Sequence, residues 1–172
     1  MSILFDPVLG VRPRARKYTI RPLVLAAAPL VALLWQIYTP LFFTPLAFLE
    51  LPLLVTVYFG LMRRSPVAGI LIGAGIGLAQ DALSHNPLGM FGIVKTLVGY
   101  FAAYASQRFE VENNVVRFLL GSLFYFSHQL LYCALANMLL AQPLAFDFPQ
   151  TVLLALLNGA VTAPLYALLD RL

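Results

Sequence analysis

Charged residues are scarce in this chain of 172 residues. Only 10% of the residues are Asp, Glu, Lys or Arg, whereas 61% are hydrophobic. Soluble globular domains carry roughly 25% charged residues, and the mean hydropathy here is +0.87. This composition excludes an ordinary soluble domain. It indicates a membrane protein with room for about six spans of roughly 20 residues each.

Cysteine and histidine are almost absent. Cys133 is the single cysteine, so no disulfide can form within the chain. The two histidines, His85 and His128, have no cysteine cluster beside them, and their spacing does not make a metal site. His128 falls near the middle of an apolar segment. We interpret it as a residue that forms a hydrogen bond between helices, rather than as a proton relay or a metal ligand.

Known catalytic signatures are also missing. The chain contains no G-x-S-x-G turn, no H-E-x-x-H pair and no phosphate-binding glycine loop. Ser127 and His128 are adjacent, so they do not share a helix face as a nucleophile and its base would. No two carboxylates have a spacing that suggests acid–base catalysis. The sequence therefore predicts a protein that is not an enzyme, with no catalytic residue, metal or cofactor.

Six apolar segments predict six transmembrane helices separated by short polar or turn-rich links. The predicted spans are Pro22–Tyr38, Pro45–Met62, Pro66–Ser84, Leu88–Ser106, Val116–Leu140 and Phe148–Leu169. We therefore predict an all-α polytopic membrane protein in two parts. Residues 1–21 form a basic cytoplasmic N-terminal segment, and residues 22–172 form a single six-helix transmembrane domain.

The basic residues are distributed unevenly over the links. All Lys and Arg residues except Lys95 lie in the N-terminal segment, beside the second-to-third or fourth-to-fifth link, or at the C-terminus. With six spans these regions share one side of the membrane, and the positive-inside rule places both termini in the cytoplasm. The pI of about 9.5 thus favours membrane anchoring over nucleic-acid binding. The basic N-terminal segment can also contact anionic lipid headgroups.

Three glycines recur at a four-residue spacing in the third segment. Gly69, Gly73 and Gly77 are followed at the same spacing by Asp81, and a helix places such residues on one face. The glycines form a smooth groove that another helix can approach closely, either within this chain or from a partner. Asp81 at the end of the groove is expected to face protein or water, because a carboxylate in lipid is costly.

Three charged residues fall inside the predicted spans, toward the side opposite the basic links. They are Glu50, Asp81 and Lys95. An ammonium group at this position either pairs with an acid or extends to the membrane surface. Asp81 is the nearest acid in the sequence, and Glu50 is the second candidate. The sequence therefore predicts an intramembrane polar cluster of these three residues, with independent extension of Lys95 as the alternative.

The string GILIGAGIGLAQDALSHNPLGMFGIVKTLVGY resembles the signature region of the MreD family of rod shape-determining proteins. The family shows a glycine-rich helix, a Gln-Asp pair, a short turn with Pro-Leu-Gly, and a helix with a Gly-Tyr pair near its inner end. In this sequence those features are Gln80, Asp81, Pro87, Leu88, Gly89, Gly99 and Tyr100.

This resemblance implies a non-catalytic scaffold or regulator in the inner membrane of the bacterial elongation machinery, with a role in peptidoglycan synthesis and rod cell shape. It implies direct binding of MreC. It also implies indirect or transient association with the synthase RodA, its class B penicillin-binding protein and the actin-like MreB.

The MreD family also resembles the S components of energy-coupling-factor transporters, which have six helices around an outward cavity. A small-molecule-binding S component of a vitamin transporter is therefore the alternative function. We favour the scaffold because the links opposite the basic side are short and carry few ligand-like groups. Those groups are His85, Asn86, Gln142 and Asp147. We interpret the aromatic residues of the fifth span as core or lipid-facing.

Overall fold

The computed structural model describes residues 22–42, 48–84, 87–139 and 144–172. Within these ranges the chain forms six α-helices and no strand. The helices are α1 (Pro22–Phe42), α2 (Leu51–Arg63), α3 (Pro66–Leu83), α4 (Met90–Ala105), α5 (Asn114–Leu139) and α6 (Phe148–Leu169). The predicted basic segment 1–21 lies outside the described residues, as do His85, Asn86 and Gln142.

Local sequence signals set the starts of two helices. At α3, the Ser65 side chain accepts a hydrogen bond from the Ala68 N–H at 3.4 Å, and Pro66 is the first helical residue. At α6, the Asp147 side chain accepts a hydrogen bond from the Gln150 N–H at 3.1 Å. Such side chains satisfy N–H groups that have no partner within the helix. These local caps explain why the sequence places both helix starts correctly.

The second helix departs most from the prediction. The expected span was Pro45–Met62, but α2 has 13 residues and begins at Leu51. The prediction that Glu50 lies inside a helix was therefore wrong. Glu50 occupies the N-cap position of α2. At 1.5 Å per residue α2 is about 20 Å long, which is less than the roughly 30 Å hydrocarbon core of a bilayer.

A buried asparagine of α6 holds the segment that precedes α2. Asn158 Oδ1 accepts a hydrogen bond from the Glu50 N–H at 3.0 Å, and Asn158 Nδ2 donates to the Phe48 carbonyl at 3.0 Å. Non-helical backbone at membrane depth is tolerated only where protein groups satisfy it. The Asn158 amide satisfies it here, so α2 can begin inside the bundle.

The shortest helix is also the central one. α2 contacts each of the other five helices, and every residue from Pro52 to Met62 is buried. The Tyr166 hydroxyl of α6 donates to the Leu54 carbonyl at 3.0 Å. On another side, a Cβ atom at Gly60 would press on Ala102 of α4. A helix that is apolar almost all round is typically buried, and the core forms around this one.

Among the described helices, α3, α5 and α6 are long and apolar enough to cross a membrane, while α1, α2 and α4 provide shorter apolar stretches. Large apolar side chains such as Leu71, Leu123 and Leu153 are exposed on the outside of the bundle. That exposure suits lipid, because hydrocarbon tails solvate such side chains. The six-span topology and the resemblance to an S component stay predictions.

The two ends of the bundle differ in charge. Arg63, Arg108 and Arg171 lie where α2, α4 and α6 end, and we call this the basic end. The opposite end is where α2, α4 and α6 begin, and it carries Glu50 and Asp147. The polar residues expected to be functional gather toward the opposite end.

A partly buried ion pair joins three helices at the basic end. Arg117 of α5 donates to the Asp170 carboxylate at 2.6 Å and to the Val111 carbonyl at 2.7 Å. The Tyr58 hydroxyl of α2 donates to the same carboxylate at 3.1 Å. Because the guanidinium and the carboxylate each have partners, these side chains form a satisfied polar network.

Candidate functional site at the opposite end

The glycine groove of α3 is filled by α4. A Cβ atom on any of the three glycines would overlap a backbone carbonyl of α4. Gly69 faces Gly99, Gly73 faces Lys95, and Gly77 faces Phe91. Each four-residue step along α3 is matched by a four-residue step back along α4, so the two backbones run in contact. A partner helix must therefore use another surface of this hairpin.

Asp81 caps the start of α4. Its carboxylate accepts hydrogen bonds from the N–H groups of Gly89, Phe91 and Gly92 at 2.9, 3.0 and 3.0 Å. The side chain is 1% exposed. The first N–H groups of a helix lack intrahelical partners, and the positive end of the helix dipole stabilises an anion there. Asp81 thus joins the end of α3 to the start of α4.

The turn with Pro87, Leu88 and Gly89 makes this cap possible. Gly89 has φ +100°, a backbone conformation that a residue with a side chain rarely adopts. The Pro87 carbonyl accepts a hydrogen bond from the Met90 N–H at 3.3 Å. Together with Gln80 and Asp81 at the end of α3, these motif residues lie in one hairpin.

Lys95 is fully buried, and its ammonium group is shared by two side chains. Nζ donates a hydrogen bond to Gln80 Oε1 and lies 3.7 Å from Glu50 Oε2. It also lies 4.6 Å from the centre of the Phe91 ring, a favourable cation–π distance. Glu50, the second of the two acids considered from the sequence, forms the ion pair. Asp81 is instead committed to the backbone of α4, and Lys95 does not extend to the surface.

His128 does not make the hydrogen bond expected from the sequence. Neither of its ring nitrogens has a hydrogen-bond partner among the described residues. The ring instead stacks on Phe91, with centroids 5.7 Å apart and planes 3° from parallel. Tyr132 stacks on the same Phe91 ring at 4.9 Å. The predicted hydrogen bond was wrong, and His128 packs α5 against α4 through aromatic contact.

A cavity of about 360 Å³ lies at the opposite end, with Glu50 in its wall. Its walls come from the segment before α2, from α5, from residues 144–147 and from the start of α6. The polar residues among them are Glu50, Tyr125, Gln129, Tyr132, Asp147, Gln150 and Thr151. The volume falls in the range of small-molecule pockets, about 300–1,000 Å³.

Reasoning from the sequence missed most of this lining. The aromatic residues of α5 were interpreted as core or lipid-facing, and Tyr125 does lie in the core. Tyr125 and Tyr132 also line the cavity, which was not predicted. A signal was present, because Tyr125, Gln129 and Tyr132 are spaced four and three residues apart. That spacing places three polar groups on one face of a membrane helix. The partner wall, from Phe48 to Glu50, is remote in the sequence and was expected to be helical.

The fold and the site are those of an all-helical membrane protein with an apolar outer surface and a buried polar cluster. The chain belongs to the family of the rod shape-determining protein MreD, whose sequence pattern matches residues 17–172. This match confirms the resemblance found in the third and fourth predicted spans. Comparison with curated proteins and with solved structures found no match.

Proposed function

We propose that this chain is a non-catalytic, multi-pass scaffold of the bacterial inner membrane that binds MreC and helps to control peptidoglycan synthesis during elongation. The observation that carries this proposal is the MreD family match over residues 17–172, which includes all six helices. RodA with its class B penicillin-binding protein, and MreB, are indirect or transient partners in this proposal. The exposed apolar faces contact membrane lipids.

An open groove on the outer face of α3 and α4 is the proposed contact for MreC. The glycine stripe is filled, but the outer face of the same two helices leaves an almost wholly apolar groove of about 300 Å³. The groove is lined by the small residues Ala74, Gly92 and Thr96, and by Leu78 and Leu97. Transmembrane helices associate through small residues that allow close approach, so the groove suits the single transmembrane helix of MreC.

Recovery of MreC with this chain in mild detergent tests the proposal. Ala74→Trp fills the groove and should lower MreC recovery, because the partner helix can no longer approach. Leu153→Trp is the matched control on an exposed face of α6, and it should retain MreC. Equal recovery from both variants would reject the groove.

A second outcome would reject the scaffold itself. Recovery of a coupling ATPase module in place of MreC, together with saturable binding of a vitamin-sized ligand, would support an S component instead. The cavity at the opposite end makes this alternative worth testing in the same preparation.

We propose in addition that both termini are cytoplasmic, which the distribution of basic residues supports. Gln107 at the basic end and Ala145 at the opposite end are both exposed. In a Cys133→Ala background, an impermeant thiol reagent outside the cell should label Ala145→Cys and leave Gln107→Cys unlabelled. The reverse pattern would overturn this orientation.

A further inference from the structure

Several hydrogen-bonding groups around the cavity at the opposite end are not used by the protein. The hydroxyl groups of Tyr125 and Tyr132 and the side-chain amides of Gln129 and Gln150 have no hydrogen-bond partner in the described part of the chain. Tyr125 is only 4% exposed. Buried polar groups in folded proteins almost always have a partner. The Tyr125 hydroxyl is therefore available to a molecule that enters the cavity.

The charge that faces the cavity is acidic. Glu50 and Asp147 line it, and no described Lys or Arg does. Lys95 is 0% exposed and already engaged by Gln80 and Glu50, so it compensates Glu50 from outside the cavity wall. Asp147 has no cationic partner among the described residues and uses one oxygen to cap α6. The uncompensated charge favours a cation over an anion in this cavity.

We propose that this cavity binds a ligand that carries a primary ammonium group. The ammonium N–H groups donate to the carboxylates of Asp147 and Glu50, whose side chain is 17% exposed. Phe48 and Phe146 also line the cavity, and aromatic rings attract cations by the cation–π effect. The Tyr125 and Tyr132 hydroxyls are left to bind the polar remainder of the ligand. This inference is independent of MreC binding.

Two sources supply a primary ammonium group in a membrane: the headgroup of an ethanolamine phospholipid, and a small free amine. Native mass spectrometry of the full chain separates them when ethanolamine, glycerol and choline phospholipids with the same acyl chains are offered. A lipid source predicts that the ethanolamine lipid is retained about threefold or more over the other two, as expected for one lost hydrogen bond.

A free-amine source predicts no lipid preference. In that case ethanolamine should raise the melting temperature of the chain in nanodiscs of glycerol phospholipid. Absence of both signals, or preferential retention of the anionic glycerol lipid, would overturn the proposal.

Two variants locate the site without disturbing the fold. Asp147→Asn removes the charge but keeps the cap of α6, because Asn is also a strong N-cap residue. Tyr125→Phe removes a hydroxyl that has no partner within the described chain. Tyr125→Phe should weaken binding of the retained lipid or of ethanolamine by roughly threefold to tenfold, the size of one lost hydrogen bond. Asp147→Asn should weaken binding by a similar factor, because the amide oxygen still accepts but the attraction between opposite charges is lost.

Tyr100→Phe is the matched control, because Tyr100 is an exposed residue of α4 and does not line the cavity. It should bind as the unchanged protein does. If Asp147→Asn and Tyr125→Phe also bind as well as the unchanged protein, the ligand does not occupy this cavity and the proposal fails.

Discussion

The α3–α4 and α5–α6 hairpins reach the same end of the bundle, but they differ in whether the polar side chains there have hydrogen-bond partners. In the α3–α4 hairpin, Asp81 accepts three backbone N–H groups and Lys95 is bound by two side chains. In the α5–α6 hairpin, Tyr125 and Gln129 face a cavity without a partner in the described chain. Satisfied polar groups stabilise a fold, whereas uncommitted ones remain free to bind something else.

The two hairpins also differ in how closely their helix backbones approach each other. The glycines of α3 keep the backbones of α3 and α4 in contact along most of their length. In the other hairpin, a Cβ atom at Gly121 would overlap the Thr162 side chain, and one at Gly159 would overlap the Ser122 side chain and press on the Phe118 carbonyl. Toward the opposite end, Asn137 of α5 bridges to the Leu144 N–H and carbonyl at 2.9 and 3.2 Å. The cavity opens beside this bridge.

The largest effect is expected where the backbones touch. Gly73→Leu would overlap the Lys95 carbonyl, and neither backbone can yield without separating the hairpin. Overpacking in a dense core costs about 1–3 kcal/mol and sometimes more, so we expect loss of most folded protein. Size-exclusion chromatography of a fluorescent fusion measures this loss, and cells that depend on the variant should become round.

Gly75→Leu is the control for that variant, because a Cβ atom at Gly75 meets nothing within 4 Å. It should give a folded yield equal to that of the unchanged protein. Similar yields for Gly73→Leu and Gly75→Leu would contradict the close α3–α4 contact.

The next effect concerns the ion pair that joins the hairpin to α2. Lys95→Met leaves the Glu50 carboxylate without its cation, and removal of one partner of a buried pair costs about 3–5 kcal/mol. Glu50→Gln should cost at least as much, because it leaves the fully buried Lys95 ammonium with Gln80 as its remaining side-chain partner. The double variant should be less destabilised than the sum of the two single ones. Strictly additive shifts in thermal unfolding would show that the two residues do not interact.

Asp81→Ala should have a smaller and more local effect. It leaves three N–H groups of the 89–92 turn without their acceptor, at a cost of about 2–3 kcal/mol. Hydrogen exchange of the amides at Gly89, Phe91 and Gly92 should accelerate. The exchange rates in Asp81→Asn should lie between those of the unchanged protein and those of Asp81→Ala, because an amide oxygen still accepts hydrogen bonds. Unchanged exchange in Asp81→Ala would reject the capping role.

The smallest effect on stability is expected in the α5–α6 hairpin. Tyr125→Phe, without added ligand, should change the stability by no more than about 0.5 kcal/mol, because its hydroxyl has no partner in the described chain. Tyr166→Phe is the matched control, since that hydroxyl donates to the Leu54 carbonyl. It should cost about 0.5–1.5 kcal/mol. Equal thermal shifts for the two variants would remove the distinction between the hairpins.

Prediction from the sequence succeeded where the signals are local. The bounds of α6 were predicted to the residue, because Asp147 and Pro149 mark its start and a continuous apolar run follows. The start of α2 was predicted wrongly, because the residues before Leu51 are as apolar as the helix itself. Apolarity cannot distinguish a helix from a buried irregular segment whose backbone is satisfied by Asn158.

The sequence by itself determined the membrane character, most helix bounds, the shared face of Gly69, Gly73 and Gly77, and the family. Each depends on composition or on residues within a few turns of one helix. The tertiary structure alone decided that Lys95 pairs with Glu50, that Asp81 caps α4, and that a polar cavity lies between α5 and the segment before α2. Those features depend on distances between residues remote in the chain, which helix packing sets and local patterns do not encode.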